Sequence, residues 1–279
     1  MKKIKVAVAG LSVKQDEGKM ARLIAEAIGR QEDMELCPYG LSGEEGTVHI
    51  PSAGPMQLLI PMGGHESFLK NRRGDIDLIV DFTAPKAVNR NAELYCAAGI
   101  PFVMGTTGGD RQKLTETIKK SNISAVVATN FSSAVAIFQE MIRFAGASFP
   151  GGLKGFRLIR KESHQATKPD PSGTMVNIQD DFASLIGSPV EKEQIIMERD
   201  PVVQELELLI PQQYLKGHGY HTYTLMSPDG TVKLQFTHNL LGRSDYVVGA
   251  LKAIRFLAGR KQFKCSVYSM IDVLQNRAP

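Results

Sequence analysis

Cysteine is scarce in this sequence, and the spacings that give cysteine a structural role are absent. The 279 residues contain three cysteines, Cys37, Cys96 and Cys265, which lie far apart and form no CxxC pair. An odd number at this spacing argues against a disulfide framework and against a zinc site. We expect three buried or half-buried thiols in a reducing compartment.

Long apolar runs and a strong excess of one charge are lacking as well. No stretch approaches the roughly 20 apolar residues that span a bilayer, and no apolar leader precedes the strand-like run at Ile4. We therefore expect a cytoplasmic enzyme without a membrane partner. The 33 basic and 29 acidic residues leave a net charge of +4, which is too small and scattered for nucleic-acid binding. It is compatible with anionic small molecules, such as a phosphate-bearing cofactor or a dicarboxylate.

What is present in the first half is an alternation of strand-like and helix-like segments. Ile4–Ala9 is a short apolar run that ends at Gly10, and residues 18–29 carry apolar side chains at helical spacing. Further strands are predicted at 34–39, 77–82, 101–104 and 124–128, with helices at 85–98 and 110–120. This repetition predicts an α/β fold with a Rossmann-type, doubly wound parallel sheet.

The pattern changes after Asn130. We predict helices at 133–148, 172–186 and 244–258, the last continuing to 274, and strands at 156–162, 217–226 and 232–239 with a turn at 227–230. These elements predict a smaller α+β domain. We assign residues 1–129 and 242–279 to a dinucleotide-binding domain and residues 130–241 to a domain for substrate binding and oligomerisation.

The strand ends of the first half carry the signal for a cofactor. Ligands of open parallel sheets bind beyond the carboxyl ends of the strands. Gly10 follows the first strand, and the helix beginning near Gly18 and Lys19 offers backbone N–H groups and a positive charge to a pyrophosphate. The spacing of these glycines matches the dinucleotide fingerprint poorly. The alternative that Gly10 only ends a strand, without binding a cofactor, therefore stays open. Two further small, polar strand ends, 105–109 and 129–132, favour one shared ligand crevice.

The end of the second predicted strand bears on the choice between NADPH and NADH. An acidic residue there accepts from the ribose hydroxyls and repels a 2′-phosphate, but this sequence has Ser42 and no acid before Glu44. Ser42 is a candidate donor to a phosphate, and Lys14 or Lys19 a candidate neutralising charge. We predict NADPH as the cofactor, with NADH as the alternative.

One segment, residues 161–174, combines the groups of a reacting centre. His164 is a candidate proton donor near neutral pH, and Lys168 supplies a positive charge. Ser172-Gly173-Thr174 opens a predicted helix, where unpaired N–H groups bind carboxylates. Taken singly, His164 is as readily a structural histidine and Lys168 a solvated lysine. Together they predict a site for a small dicarboxylate that needs protonation, without a metal ion.

This segment resembles the active-site signature of dihydrodipicolinate reductases. The matching residues are Glu162-Ser163-His164-Gln165, Lys168, Asp170 and Ser172-Gly173-Thr174. Gln165 and the short spacing before Ser172 resemble the plant-type branch, whereas 130–132 looks more like the bacterial pattern. Residues 81–83, 101–111, 238–239 and 242–244 are also similar to that branch, so the resemblance covers nearly the whole chain.

The resemblance implies NAD(P)H-dependent reduction of 4-hydroxy-tetrahydrodipicolinate or dihydrodipicolinate to tetrahydrodipicolinate, in lysine (diaminopimelate) biosynthesis. It implies His164 and Lys168 as the catalytic pair. The implied substrate-binding residues are Gln165, Lys168, Ser172, Gly173 and Thr174. The cofactor-binding residues, with Ser42 added from the argument above, are Gly10, Leu11, Ser12, Gly18, Lys19, Met20, Ser42, Gly105, Thr106, Thr107, Ala128, Thr129, Asn130 and Phe131. Residues 13–17 look like an insertion in the phosphate loop.

Two other functions remain open at this point. One is another two-domain NAD(P)-dependent dehydrogenase that acts on an amino acid or an aldehyde. The other is a non-catalytic NADPH-binding sensor, against which the presence of both His164 and Lys168 argues. We further expect a homo-oligomer, either a dimer or a tetramer.

Overall fold

The chain forms two compact units. The computed structural model describes residues 2–53, 56–72, 74–169, 171–190, 195–260 and 265–277. Residues 1–133 and 246–279 make up unit 1, and residues 134–245 make up unit 2. Asp170, which belongs to the signature above, lies outside the described residues. Within the described ranges, no helix is long and apolar enough to cross a membrane.

Unit 1 is built on one large sheet. Up to residue 127 its elements are β1 (Ile4–Ala9), α1 (Lys19–Gly29), β2 (Met34–Leu41), β3 (Gly46–His49), β4 (Met56–Ile60), α2 (His65–Asn71), β5 (Leu78–Asp81), α3 (Val88–Ala98), β6 (Phe102–Met104), α4 (Arg111–Lys119) and β7 (Ala125–Val127). The chain then forms α5 (Ser133–Ser148), β8 (Arg157–Ser163), α6 (Gly173–Asp181), α7 (Ala183–Ile186), β9 (Ile195–Glu198), α8 (Pro201–Leu206), β10 (His218–Met226) and β11 (Lys233–Leu241), which belong to unit 2. It returns to unit 1 with α9 (Ser244–Ala258), β12 (Val267–Tyr268) and α10 (Met270–Gln275).

The sheet of unit 1 has the strand order β12-β7-β6-β5-β1-β2-β4-β3. Every neighbouring pair is parallel except β3 with β4. Consecutive residues of β1, from Val6 to Ala9, are all at most 1% exposed, so this strand is covered on both faces, as in doubly wound sheets. The predicted Rossmann-type sheet is therefore confirmed. The chain passes from β1 outward to β2 and later returns to β5, which puts the switch in strand order at β1.

Three elements of unit 1, β3, β4 and α2, were not predicted from the sequence, and the carboxyl end of the unit was misassigned. The helix expected to continue from 244–258 to residue 274 is also wrong, because β12 pairs with β7, with Val267 opposite Ala125. Two residues are too few to show strand periodicity, and the pairing that defines them comes from the neighbouring strand. The expectation for the thiols is wrong for Cys265, which is exposed.

Unit 2 contains a four-stranded mixed sheet. Its strand order is β11-β10-β8-β9, antiparallel except for the pair of β8 and β9. Apolar side chains of α5 and α6 pack with Tyr223 and Leu225 of β10 in one buried cluster that includes Val135, Met175 and Phe182. This arrangement confirms the smaller α+β unit. The elements β9 and α8 were not predicted.

The helix predicted over 172–186 is two helices, α6 and α7. They are separated at Phe182, whose backbone N–H donates to the carbonyl of Gln179, three residues earlier, at 3.2 Å. The Phe182 ring is fully buried and stacks on Tyr223. Apolar residues continue at helical spacing through Phe182, so the sequence pattern could not show that the backbone here bonds to the third preceding residue instead of the fourth.

Helix α9 contains a glycine at a point of close backbone approach. A Cβ atom on Gly249 would lie 1.7 Å from the backbone oxygen of Phe131. Alanine normally stabilises a helix interior relative to glycine by roughly 1 kcal/mol. Here we expect Gly249→Ala to destabilise unit 1 by about 2 kcal/mol instead, because the backbone must move apart.

Urea denaturation, which gives the free energy of unfolding, checks this expectation. Gly63→Ala is the matched control, since a Cβ there meets no atom within 4 Å. Equal stability of the two variants would show that α9 does not contact Phe131 in this way.

Candidate active site

A cavity of about 560 Å³ lies at the carboxyl ends of β1 and β2 in unit 1. This volume is in the range of cofactor sites. Five of the predicted cofactor-binding residues line it, namely Gly10, Leu11, Ser12, Gly18 and Ser42. His65 and Lys86 line it too and were not predicted. The cavity lies beside the switch in strand order, where open sheets bind nucleotides.

Gly10 makes the backbone at this cavity possible. Its φ of +103° lies outside the range of ordinary side-chain-bearing residues, and a Cβ would lie 2.4 Å from the backbone oxygen of Phe82. The loop then turns into α1, whose N-cap residue Gly18 also has positive φ. Backbone left open by a glycine, followed by the start of a helix, is the chemistry that a pyrophosphate needs. The residues present therefore fit a dinucleotide.

Acidic groups surround the insertion at 13–17, and one of them comes from the segment after β2. Glu44 accepts from the Ser12 hydroxyl at 2.6 Å and from the Val13 N–H at 2.8 Å, and these bonds lower the pKa of its carboxyl group. Lys14 pairs with Glu17 at 2.9 Å. Although no acid directly follows β2, Glu44 folds back onto the loop and places a carboxylate there.

Three of the predicted cofactor residues, Ser42, Lys19 and Met20, have surroundings that the sequence did not indicate. The Ser42 hydroxyl is buried and donates to the backbone oxygen of Leu11 at 2.7 Å. Lys19 is exposed, with its ammonium 3.8 Å from Asp16. Met20 lies in the first turn of α1 and is half-buried. Neither Lys19 nor Met20 lines the cavity.

The ends of β5, β6 and β7 are brought together around two side chains. The Phe82 ring packs against Gly105 and lies 5.6 Å from the Phe131 ring, centroid to centroid. Asp81 is fully buried and accepts from the hydroxyl of Thr106 at 3.0 Å. Its other donors are the N–H and hydroxyl of Thr83, the amide of Asn91 and the hydroxyl of Tyr95. Because buried carboxylates depend on such donors, Asp81 fixes the loop 105–107 relative to β5.

The remaining predicted residues of these loops differ in exposure. Thr107 and Thr129 are exposed, Asn130 is half-buried and its side-chain oxygen accepts from the Ser132 N–H at 2.8 Å, and Ala128 is buried. Thr107 and Thr129 therefore lie exposed at the ends of neighbouring strands, and their place in a ligand crevice stays a prediction.

In unit 2, His164 follows the end of β8 and is held on three sides. Its Nδ1 lies 3.0 Å from the backbone oxygen of His218, and its Nε2 lies 3.2 Å from Nε2 of His221. Its own backbone oxygen accepts from the amide of Gln204 at 2.7 Å. Burial lowers the pKa of His164 to about 4, so the ring is neutral at pH 7.

This neutral state differs from the expectation of a proton donor near pH 7. A carbonyl oxygen only accepts, so Nδ1 of His164 carries the proton and Nε2 presents a lone pair. The motif alone could not reveal this, because the carbonyl of His218 and the burial come from the distant strand β10.

A buried ion pair holds the segment 164–174 in place. Glu162 is fully buried, and its carboxylate accepts from Arg199 at 2.7 Å and from the backbone N–H of Ser172 at 2.8 Å. Arg199 also donates to the backbone oxygen of Lys168 at 2.9 Å. These contacts fix both ends of the loop that carries Lys168.

The start of α6 is partly capped, in contrast to the unpaired N–H groups that the sequence analysis expected. The Ser172 hydroxyl accepts from the Thr174 N–H at 3.2 Å, as an N-cap serine does. Gly173 is exposed at the first helical position. Lys168 donates to the backbone oxygen of Pro171 at 3.3 Å, and its own N–H donates to the backbone oxygen of Gln165. The predicted catalytic and substrate residues thus lie in one short loop.

Glu162, His164 and His221 place atoms capable of binding a metal within 4.8 Å of one another. All three are engaged otherwise, with Arg199 and Ser172 on the carboxylate and the two rings facing each other. We assign them to hydrogen bonding.

Four residues that hold this loop in place were not predicted from the sequence, namely Arg199, Gln204, His218 and His221. They lie 35 or more positions from His164 in the chain. Strand pairing brings His221 opposite Glu162, which no local pattern encodes. The motif Gly219-Tyr220-His221 carried no signal that separates it from ordinary strand residues.

The chain matches known protein families over both units. Residues 4–131 match the model described as dihydrodipicolinate reductase, N-terminus, and residues 134–274 match dihydrodipicolinate reductase, C-terminus. The chloroplastic 4-hydroxy-tetrahydrodipicolinate reductase 1 of Arabidopsis thaliana is 38% identical over 272 residues, covering 92% of this chain and 75% of that protein. The chloroplastic reductase 2 of the same plant is 43% identical over 201 residues, covering 71% of this chain and 57% of that protein.

A solved structure shares the fold. The dipicolinate-bound dihydrodipicolinate reductase from Paenisporosarcina sp. TG-14 superposes with a TM-score of 0.63 at 19% identity, covering 96% of this chain and 98% of that chain. At this identity the likeness shows the fold alone.

Proposed function

Because this chain belongs to the dihydrodipicolinate reductase family, we propose that it reduces 4-hydroxy-tetrahydrodipicolinate or dihydrodipicolinate at the loop of His164 and Lys168. It is an NAD(P)H-dependent oxidoreductase of lysine biosynthesis. The observation that carries the proposed site is that the Glu162–Arg199 ion pair holds His164, Lys168 and the start of α6 in one loop.

Lys168 and the start of α6 bind the two carboxylates of the substrate. Lys168 supplies a full positive charge, and Gly173 and Thr174 supply the partial positive charge of a helix N-terminus. Gln165 and Ser172 complete the polar surface around the ring. Two fixed anchors orient the ring for reaction, which is worth several kcal/mol of the barrier.

His164 acts on the charge that develops in the ring. When the cofactor is bound, it supplies the hydride that enters the ring carbon conjugated to the C=N bond. Negative charge then builds toward the ring nitrogen. His164 is neutral in the free protein, and the approach of two carboxylates raises its pKa. It then polarises the ring or donates a proton to it.

Unit 1 binds the cofactor, and unit 2 binds the substrate and mediates homo-oligomerisation. On α5, Ile137, Met141 and Phe144 are 51%, 60% and 70% exposed and share one helix face, which supports contact with a second copy. Light scattering of the purified protein tests this, with a dimer or tetramer expected and a monomer contrary to it. Cytoplasmic location stays a prediction. All three cysteines are free thiols, whereas the names of the two plant relatives place those proteins in the chloroplast.

NADPH is the preferred nucleotide in this proposal, and NADH is accepted. No acid directly follows Leu41, and Lys86 adds a positive charge to the cavity, while Glu44 opposes a 2′-phosphate. We expect Glu44→Gln to raise the affinity for NADPH on the order of fivefold and to change that for NADH little, because one repulsive charge is removed.

Calorimetric titration with both nucleotides at two salt concentrations measures this effect, which salt reduces. Glu45→Gln is the control, since Glu45 is exposed and does not line the cavity. Tighter binding of NADH than of NADPH by the unmodified protein would contradict the preference.

A substrate panel tests the proposed function against its alternatives. NADPH oxidation is measured with freshly prepared 4-hydroxy-tetrahydrodipicolinate, and NADP+ reduction is measured with an amino acid and with an aldehyde. We expect turnover with the first alone, and competitive inhibition by dipicolinate, a planar dicarboxylate. Turnover with the others would favour a different dehydrogenase, and binding of NADPH without any turnover would favour a sensor.

A further inference from the structure

The His164 ring is fixed at both of its nitrogens. Its Nδ1 proton is directed at the backbone oxygen of His218, at 3.0 Å. The lone pair that remains on Nε2 faces Nε2 of His221 at 3.2 Å. Since a hydrogen bond needs one proton between the two nitrogens, His221 must donate its Nε2–H to a neutral His164.

His221 lies on a rigid element. It belongs to β10, the second strand of the four-stranded sheet, and pairs with Glu162 of β8. The residue is 4% exposed, and its ring lies 4.7 Å from that of His238 on β11, centroid to centroid. Its Nδ1 has no hydrogen-bond partner among the described residues. Within that part of the chain, the contact with His164 is therefore the hydrogen bond that orients the His221 ring.

Burial, more than the surrounding charges, keeps both rings neutral. Burial lowers the pKa of His221 well below its usual value, and His238, His164, Lys168 and Arg199 act in the same direction. Glu162 opposes them, with its carboxylate 3.9 Å from Nε2 of His221, but it is already paired with Arg199.

We propose that His221 is a positioning residue of the reaction, whose Nε2–H holds the His164 ring in one orientation and one tautomer. This role rests on the proposed function, because His221 acts on the substrate only through His164. In the free protein this bond keeps Nε2 of His164 in place, and the substrate replaces His221 at Nε2 when it binds. Without the bond the ring would turn about its side-chain bond and present either nitrogen, and such misplacement slows a reaction.

Two variants of nearly equal polarity test the proposal. His221→Gln puts an amide N–H near the place of Nε2, whereas the amide of His221→Asn is one methylene too short to reach His164. We expect His221→Gln to keep kcat within about threefold of the unmodified enzyme, and His221→Asn to lower it about tenfold or more. The KM for NADPH should not change in either variant, and thermal denaturation confirms that both are folded.

Nitrogen NMR of histidine-labelled protein gives a readout independent of turnover. The His164 resonances, assigned with His164→Gln, should show a single tautomer in the unmodified protein and in His221→Gln, and exchange between two in His221→Asn. Wild-type kcat in folded His221→Asn, or equal loss in both variants, would overturn the proposal. If the unmodified protein does not turn over the substrate, the proposed function fails, and an unchanged His164 tautomer in His221→Asn would still overturn the role of His221.

Discussion

Replacing Lys168 by alanine is expected to lower kcat/KM by about a hundredfold or more. The ammonium group is the full positive charge that the loop offers to a substrate carboxylate, and it stays next to the ring through the transition state. Its removal leaves the partial charge of the helix start alone to bind that carboxylate. The affinity for NADPH should be unchanged, because Lys168 belongs to unit 2 and the cofactor cavity is lined by residues of unit 1.

Lys154→Ala is the matched control for this variant. Lys154 is an exposed lysine of the same unit, so its loss removes the same charge from the protein without touching the loop. Steady-state kinetics and calorimetry of both variants separate the two effects. Comparable kcat/KM values for the two variants would remove Lys168 from the centre of the proposed site.

The Arg199→Ala variant is expected to lose about 3 kcal/mol of stability in unit 2, because it leaves the Glu162 carboxylate buried and unpaired. Glu162 is fully buried and the Arg199 side chain is 18% exposed, so water cannot replace the guanidinium well. The same change removes the donor to the backbone oxygen of Lys168. Turnover should therefore fall together with stability.

Arg143→Ala provides the comparison for an ion pair of similar length. Arg143 lies 2.7 Å from Asp181, but its side chain is 51% exposed, and such pairs contribute about 1 kcal/mol or less. Urea denaturation of both variants gives the two free energies of unfolding. If Arg199→Ala were as stable as Arg143→Ala, the Glu162–Arg199 ion pair would not be what holds the loop in place.

The sequence predicted those parts of the fold that depend on local patterns. β1 and α1 were found because apolar residues recur at strand and helix spacing and a glycine separates them. β12 was missed because its two residues become a strand only by pairing with β7. The break at Phe182 was missed because burial of its ring preserves the helical pattern on either side.

The candidate site could likewise be predicted only where it depends on residues that are close together in the chain. His164, Lys168 and Ser172 lie close together in the chain, so one segment carried the chemistry. The residues that decide the state of His164 come from β10, through strand pairing and burial. The tautomer, the pKa of about 4 and the contact with His221 are therefore tertiary properties. In unit 1, the contact between Glu44 and Ser12 could not be predicted for the same reason, because the two residues are 32 positions apart in the chain.

The most direct test of the central claim is the consumption of NADPH by the purified chain in the presence of freshly prepared 4-hydroxy-tetrahydrodipicolinate. We expect consumption that depends on the substrate, yields tetrahydrodipicolinate in equal amount, and is nearly abolished in Lys168→Ala at the same occupancy by NADPH. No substrate-dependent consumption by unmodified protein that binds NADPH would contradict the account, as would full activity in the Lys168→Ala variant.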